Sequence, residues 1–413
     1  MTGTLPLVAV ESISRREPRF TARRIHQIIS HLDPRLGGIS AVVPRLCTEI
    51  AEGYGFDVEL CVFRGAEEEV HGQFDGPLHL STWPSSRASW LRDSSLRADF
   101  RAALARTDVV HIHGLWESSS TVTSRMARAI NKPYVVSAHG MLEPWALENK
   151  RLKKLLYSTL LERSNLQHAQ CLHALTEAEA EDYRRYGCMQ PIAVIPNGVE
   201  SPPSADANLF LDRFPGLRHK KILLFLGRIH FKKGVDILVS SWAAIAKQHP
   251  DAILVLAGPD SENSMASVRN RIEEYGLGDR VLCTGMLERG FKWSALASAT
   301  CFVLPSYSEG LSVAILEALS MGVPVIVSEQ CHMPSIERTG AGWIVQAETG
   351  SLTRALKTVL ENSTSVNASI GARGQAMARE YRWKTVAEKM TELYDWLSGG
   401  PEPISFSLRS RRI

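Results

Sequence analysis

Nothing in this chain pairs its cysteines. The seven, at positions 47, 61, 171, 188, 283, 301 and 331, are odd in number, scattered and free of any C-x-x-C spacing. That argues against a disulfide framework and a cysteine metal site, and it makes a reducing cytosol the natural compartment. Cys61, Cys171, Cys283 and Cys301 sit inside apolar runs and read as buried small hydrophobes. Long hydrophobic runs are missing too, so no stretch approaches the length that spans a bilayer. The opening Leu5–Val10 is too short for a signal-peptide core, and Glu11 and Arg15-Arg16 follow on the wrong side. Neither sign of charge dominates. With 47 Lys+Arg against 44 Asp+Glu the net charge is +3, too small to imply a nucleic-acid partner. There is no strand-borne D-x-D, H-E-x-x-H, G-x-S-x-G, P-loop or G-x-G-x-x-G, so no catalytic metal is expected and a dinucleotide site is not indicated.

What is present is α/β alternation. At 413 residues the chain fits two domains of about 200 residues each. The strand candidates of the first half are Arg24–Ser30, Asp57–Val62, Leu78–Ser81, Val109–His113, Tyr134–Ala138, Gln170–Ala174 and Ile192–Ile195. Those of the second half are Lys221–Leu226, Ala252–Ala257, Val281–Thr284, Cys301–Leu304, Val323–Val327 and Trp343–Val345. Helical patterns fill most gaps, among them Ile39–Ala51, Trp90–Ala105 and Trp145–Leu166. Such alternation predicts doubly wound parallel sheets. Pro196-Asn197-Gly198 and the Pro/Ser run after it mark the boundary. The expected layout is an N-terminal extension (1–20), a first domain (21–198), a second domain (199–380), an amphipathic final helix (381–397) and a flexible basic tail (398–413).

The most informative stretch runs PSYSEGLSVAILEALSMGVPVIVS from Pro305 to Ser328. A β-branched run ends at Pro305, a polar turn carries Glu309 and Gly310, and a helix over Leu311–Met321 carries Glu317 before Gly322 closes it. A helix N-terminus offers free N–H groups and receives phosphate readily. Carboxylates flanking one suit hydroxyls on either side of a phosphate. A solvated surface glutamate explains either residue equally well on its own. A second constellation, Gly227-Arg228-Ile229-His230-Phe231-Lys232-Lys233-Gly234, follows a strand, where open α/β sheets bind ligands. Its cations and glycines suit a diphosphate, although a basic solvated loop reads the same way. A third element is Gly37-Gly38 before the helix at Ile39, and a fourth is His139 just past a strand end. A lone histidine is more often structural, and His113 fits either the same cleft or the core. Lys150, Arg151, Lys153 and Lys154 beside a leucine stripe at 150–161 fit an anionic membrane surface or an ordinary surface helix.

The Pro305–Ser328 unit resembles the E-x7-E element of the retaining GT-B glycosyltransferases of family 4 (group 1), with Glu309 and Glu317 at its two glutamates and Gly322 and Pro324-Val325 at its exit. Gly227–Gly234 is similar to that family's G-R-x…K-G element, with Arg228 and Lys233 at the basic positions; His230 and Lys232 have no match and are expected at the surface. The resemblance extends from about residue 24 to 397. It implies a GT-B fold, two Rossmann-like doubly wound parallel-sheet domains facing across a cleft, with the final helix crossing back to the first domain. It implies a nucleotide-diphosphate sugar as donor, no other cofactor, and a carbohydrate or lipid-linked acceptor. Expected donor contacts are Gly37, Gly38, Arg228, Lys233, Glu309, Gly310, Leu311 and Glu317, and the residues expected to act in transfer are Glu309, His139, Arg228 and Lys233. Arg228 and Lys233 would neutralise the departing diphosphate, Glu317 would hold the ribose, Glu309 the sugar, and His139 would sit near the anomeric carbon. Acceptor contacts are expected from the loops at Leu115–Glu117 and Leu142–Trp145. Polysaccharide or lipopolysaccharide biosynthesis, in the cytoplasm or at the inner face of its membrane, is the expected setting. A nucleotide-sugar epimerase of the same fold and a non-catalytic sugar-nucleotide-binding protein are the alternatives.

Overall fold

The structure is a computed structural model, and it describes residues 23–33, 38–64, 78–148, 161–202, 206–406 and 408–409. Its first half contributes β1 (Arg24–Ile29), β2 (Asp57–Arg64), β3 (Leu78–Pro84), β4 (Val109–His113), β5 (Tyr134–Ser137), β6 (Cys171–Ala174) and β7 (Ile192–Val194). The second half contributes β8 (Lys221–Leu226), β9 (Ala252–Ala257), β10 (Val281–Gly285), β11 (Cys301–Leu304), β12 (Val325–Ser328) and β13 (Gly342–Val345). They form two separate sheets, one ordered β7-β6-β5-β4-β1-β2-β3 and the other β10-β9-β8-β11-β12-β13, with every one of these pairings parallel. In each sheet the first strand is central. The chain winds outward on one side, then returns to wind outward on the other. The order therefore reverses between β1 and β4 and again between β8 and β11, and a ligand crevice opens at the carboxyl ends beside such a switch.

Burial explains why these runs are strands. In β8, Ile222, Leu223, Leu224 and Phe225 are all buried, as expected for a parallel strand covered by helices on both faces. In β1 the side chains alternate between two layers. Ile25 and Ile29 pack with Val43, Cys47 and Ile50, whereas Ile28 packs with Phe100, Leu104 and Ile112 on the opposite face. The final helix, Trp383–Leu397, buries Val386, Met390, Leu393 and Tyr394 in the first of those layers, so the end of the chain returns to the first sheet. Its entry is fixed at the junction of the two halves. Val199 N–H donates to Tyr381 O at 2.7 Å, and a Cβ at Gly198 would lie 2.2 Å from Trp383 Cε3. Only glycine fits there.

Three expectations change. The helix predicted over Trp90–Ala105 is broken at Asp93, whose extended backbone lets its carboxylate accept the N–H groups of Ser95 and Leu96 and start a new helix at Ser94. The tail expected to be flexible contributes β14 (Leu408–Arg409), antiparallel to β7. It is held there because Arg184 Nη2 donates to Arg409 O at 2.7 Å and Arg409 pairs with Glu177. The helix after β11 is Val313–Ser320 and not Leu311–Met321, because Ser312 before it is extended; Glu309 lies in the preceding turn, as expected. Residues 149–160, and with them the basic leucine stretch, lie outside the described residues. No helix among the described residues is long and apolar enough to cross a membrane.

Candidate active site

The loops after β8 and β11 are joined to each other. Tyr307 N–H and Ser306 Oγ–H both donate to Lys232 O, each at 2.8 Å. Gly234 has φ +67°, and a Cβ there would meet Pro305 O at 2.0 Å, so the two loops approach as closely as they do only with glycine. This contact delivers Lys233 to Glu309. Lys233 Nζ lies 2.5 Å from Glu309 Oε1, with the side chains 18% and 8% exposed. Burial alone would raise the Glu309 carboxyl, but the charge and hydrogen bond of Lys233 outweigh it and hold the group below the usual carboxylate range.

Glu317, two turns further along, is buried and meets Lys292 Nζ at 2.6 Å. Lys292 comes from the helix after β10 and lies over the Trp293 ring. The sequence did not single it out, although a lysine in the first turn of a helix that follows a strand end is the available signal. Arg228 and Glu317 line one cavity of about 660 Å³ with Gly227, Pro259, Met286 and Lys292 from the second half and Arg45 from the first. That is the size of a small-molecule site, placed at the switch point and between the two sheets. The cavity stops short of Lys233, Glu309 and His139. There the two halves touch: a Cβ on Gly310 would lie 3.4 Å from Gly140 N and from the His139 carbonyl carbon. The N–H groups of Gly310 and Leu311 take no hydrogen-bond partner among the described residues.

Lys232 is not the surface residue expected. His230 Nδ1 accepts the Lys232 N–H at 3.0 Å and starts a single 3-10 turn, Phe231–Lys233. That turn sends Phe231 outward and Lys232 inward, over the Trp145 ring at 5.3 Å. Desolvation pulls its ammonium below the ordinary lysine value, against the opposing pull of Glu143 and Glu309. Glu143 is buried and accepts a hydrogen bond from Ser308 across the cleft. Burial pushes its carboxyl up to about 8, with Lys232 opposing. His230, half-buried, caps the turn and faces Glu262 at 3.2 Å, a structural role.

His139 sits in a left-handed turn, φ +53°, followed by Gly140 at φ +77°. Two residues of the helix Glu177–Arg185 hold that turn, and sequence reasoning missed both. Glu179 accepts from Gly140 N–H and Leu175 N–H, each at 2.6 Å, and Tyr183 Oη accepts from Ala138 N–H at 2.7 Å. His139 Nε2 is 2.9 Å from His113 Nδ1, so His113 serves a buried network and does not open directly on the cleft. Gly38 caps the helix Ile39–Tyr54 with an ordinary right-handed backbone, and Gly37 lies outside the described residues. The described residues that cluster with metal-ligating atoms close together are His26, Glu59 and Cys61. They sit on β1 and β2, on the strands themselves and not in the cleft loops, and His26 and Glu59 already pair at 2.9 Å.

Two doubly wound parallel sheets facing across a cleft, with cations and carboxylates gathered at the carboxyl ends, define a GT-B fold. The chain belongs to the group 1 glycosyltransferases. The family "Glycosyl transferases group 1" matches residues 212–377, and "Glycosyl transferase 4-like domain" matches residues 37–198. Among curated proteins, GDP-mannose:cellobiosyl-diphosphopolyprenol alpha-mannosyltransferase of Xanthomonas campestris is 27% identical over 305 residues, 72% of this chain and 77% of that one. Alpha-maltose-1-phosphate synthase of Mycolicibacterium smegmatis is 25% identical over 309 residues, 69% of this chain and 78% of that one. Among solved structures, sucrose-phosphate synthase from Thermosynechococcus elongatus superposes with a TM-score of 0.75 at 21% identity, covering 91% of this chain and 99% of that one. The Anabaena protein HepE, solved with UDP and glucose, gives 0.70 at 20% identity, covering 91% and 100%.

Proposed function

We propose that this chain is a retaining, metal-independent glycosyltransferase that moves a hexose-like sugar from a nucleotide-diphosphate sugar to a carbohydrate or lipid-linked acceptor in polysaccharide or lipopolysaccharide biosynthesis. One observation carries the reading: at the second switch point each glutamate faces its own lysine, Lys233–Glu309 and Lys292–Glu317, with Arg228 on the same cavity as Glu317. A nucleotide-sugar has the matching order of ribose, diphosphate and sugar. Glu317 would accept ribose hydroxyls beside Lys292. Arg228, Lys233 and the N–H groups of Gly310 and Leu311 would receive the diphosphate and the charge that grows on it as the sugar departs. Glu309 and His139 would face the sugar. Those cations and N–H groups supply the positive field a divalent ion would otherwise bring, so transfer should survive EDTA.

The acceptor would enter from the first half, near Glu143 and Trp145. The Xanthomonas relative's name specifies a polyprenol-linked acceptor, which supports an acceptor of that kind here and a place at the inner membrane face. The deciding experiment offers a panel of nucleotide-sugars with polyprenol-diphosphate and oligosaccharide acceptors, with EDTA present, and reads the anomeric configuration of the product. An inverted product, or activity that needs Mg²⁺ or Mn²⁺, would overturn the mechanism. Conversion of a labelled donor with no acceptor present would point instead to an epimerase.

A further inference from the structure

A single file of hydrogen bonds runs through the first half from the junction of the two halves to the cleft. His173 Nε2 meets Ile195 O at 2.7 Å, and His173 Nδ1 meets Ser137 Oγ at 2.6 Å. Ser137 Oγ meets His111 Nε2 at 2.6 Å, and His111 Nδ1 meets Tyr394 Oη at 2.7 Å. Tyr394 Oη meets Gln27 Nε2 at 2.7 Å, Gln27 Oε1 meets His113 Nε2 at 2.7 Å, and His113 Nδ1 meets His139 Nε2 at 2.9 Å. All but His139 are buried. Burial depresses all four histidines, His139 to about 3 and His173 to about 4, so each ring is neutral and carries one N–H.

The Ile195 carbonyl can only accept, and that sets the direction of every bond after it. His173 must donate from Nε2, which leaves Nδ1 to accept from the Ser137 hydroxyl. Ser137 oxygen then accepts from His111 Nε2–H, and His111 Nδ1 accepts from the Tyr394 hydroxyl. Tyr394 oxygen accepts from the Gln27 amide nitrogen, whose carbonyl accepts from His113 Nε2–H. His113 Nδ1 is left to accept from His139 Nε2–H. All four histidines are thereby the Nε2–H tautomer, and His139 ends the file with a bare Nδ1 that has no hydrogen-bond partner among the described residues.

We propose that this file fixes His139 as a hydrogen-bond acceptor at the cleft, so that its Nδ1 takes a hydrogen bond from a hydroxyl of the donor sugar, and that Tyr394 and Gln27 are positioning residues for transfer. The proposal rests on the donor reading above for the identity of the hydroxyl's owner, and on the file alone for the tautomer. Tyr394 belongs to the final helix and lies 367 residues from Gln27, so docking of that helix is what completes the file. Without the Tyr394 hydroxyl the Gln27 amide is free to turn over. Its nitrogen would then donate to His113, and His113 Nδ1–H to His139, whose remaining proton would move to Nδ1 and close it to a sugar hydroxyl.

The test is long-range ¹H–¹⁵N spectroscopy of the full chain labelled in histidine, with no ligand. The expected result is the Nε2–H form for His139 in the wild type and a mixture of both tautomers for His113 and His139 in Tyr394→Phe. The same variant should lose about two- to tenfold in kcat, the scale of one neutral hydrogen bond, with nucleoside-diphosphate affinity unchanged. A protonated Nδ1 on His139 in the wild type, or unchanged tautomers in Tyr394→Phe, overturns the proposal whatever the donor is. Full transfer by His139→Ala with the tautomers as expected would sink the sugar contact and leave the file intact.

Discussion

Replacing Glu309 with Gln separates two jobs that one carboxylate performs. The Lys233 ammonium lies 2.5 Å from Glu309 Oε1, in a setting where both side chains are mostly buried. A diphosphate that needs Lys233 must compete with that carboxylate. Gln keeps the volume and a hydrogen-bond acceptor but removes the competing charge. A hydrogen bond to a charged group contributes roughly 1.5–3 kcal/mol, and a difference of about 1.4 kcal/mol is tenfold in affinity. Since the amide oxygen still accepts from Lys233, the lower end applies, and the bare nucleoside diphosphate should bind Glu309→Gln about tenfold tighter than wild type. Turnover should move the other way. If Glu309 faces the sugar as it gains positive character, loss of the charge should lower kcat by about two to three orders of magnitude. Calorimetric titration beside steady-state kinetics checks both signs. Weaker nucleoside-diphosphate binding with turnover unchanged would refute the reasoning. Stability supplies an independent readout. Because the folded Glu309 carboxyl titrates below its unfolded value, the pair stabilises fully above the unfolded range and the benefit is lost as pH falls through the folded value. The variant has no such loss, so its melting curve should approach that of the wild type in acid.

Arg228→Ala should cut transfer by about two to three orders of magnitude with the melting temperature unchanged, since one charge-stabilising donor is removed from a half-exposed side chain; a loss below fivefold would place the diphosphate elsewhere. Gly198→Ala should destabilise the chain and release the final helix, because its Cβ would lie 2.2 Å from Trp383 Cε3, and hydrogen exchange over Trp383–Leu397 would report the release. Glu143→Gln should raise the melting temperature near pH 8 and leave it unchanged near pH 5. The folded carboxyl is pushed up to about 8, so the wild type binds more protons folded than unfolded between those values and loses stability as pH rises through them.

The alternation of apolar runs and helical patterns was enough to anticipate both doubly wound sheets, because a parallel strand covered on two faces leaves a continuous apolar run such as Ile222–Phe225. The loops that follow such strands could be named for the same reason, and Arg228, Lys233, Glu309 and Glu317 all lie in or just beyond them. The partners of those residues were not legible. Lys233 finds Glu309 across 76 positions and Lys292 finds Glu317 across 25, and no local pattern encodes either pairing. Lys232 shows the difficulty most plainly. In a basic loop ending at a glycine it reads as solvated, yet one hydrogen bond to the neighbouring His230 ring turns it onto Trp145, a residue of the other half of the molecule. The short strand Leu408–Arg409 was missed for a related cause: its two residues carry no periodicity, and what holds them is the backbone edge of β7 and Arg184. Sequence pattern records what a segment buries, since burial repeats with the period of the element. It does not record which charged groups the fold brings face to face, because each such meeting is a single event between distant loops. In a two-sheet enzyme the chemistry consists of those meetings, so the scaffold was readable and the charge pairs had to be seen.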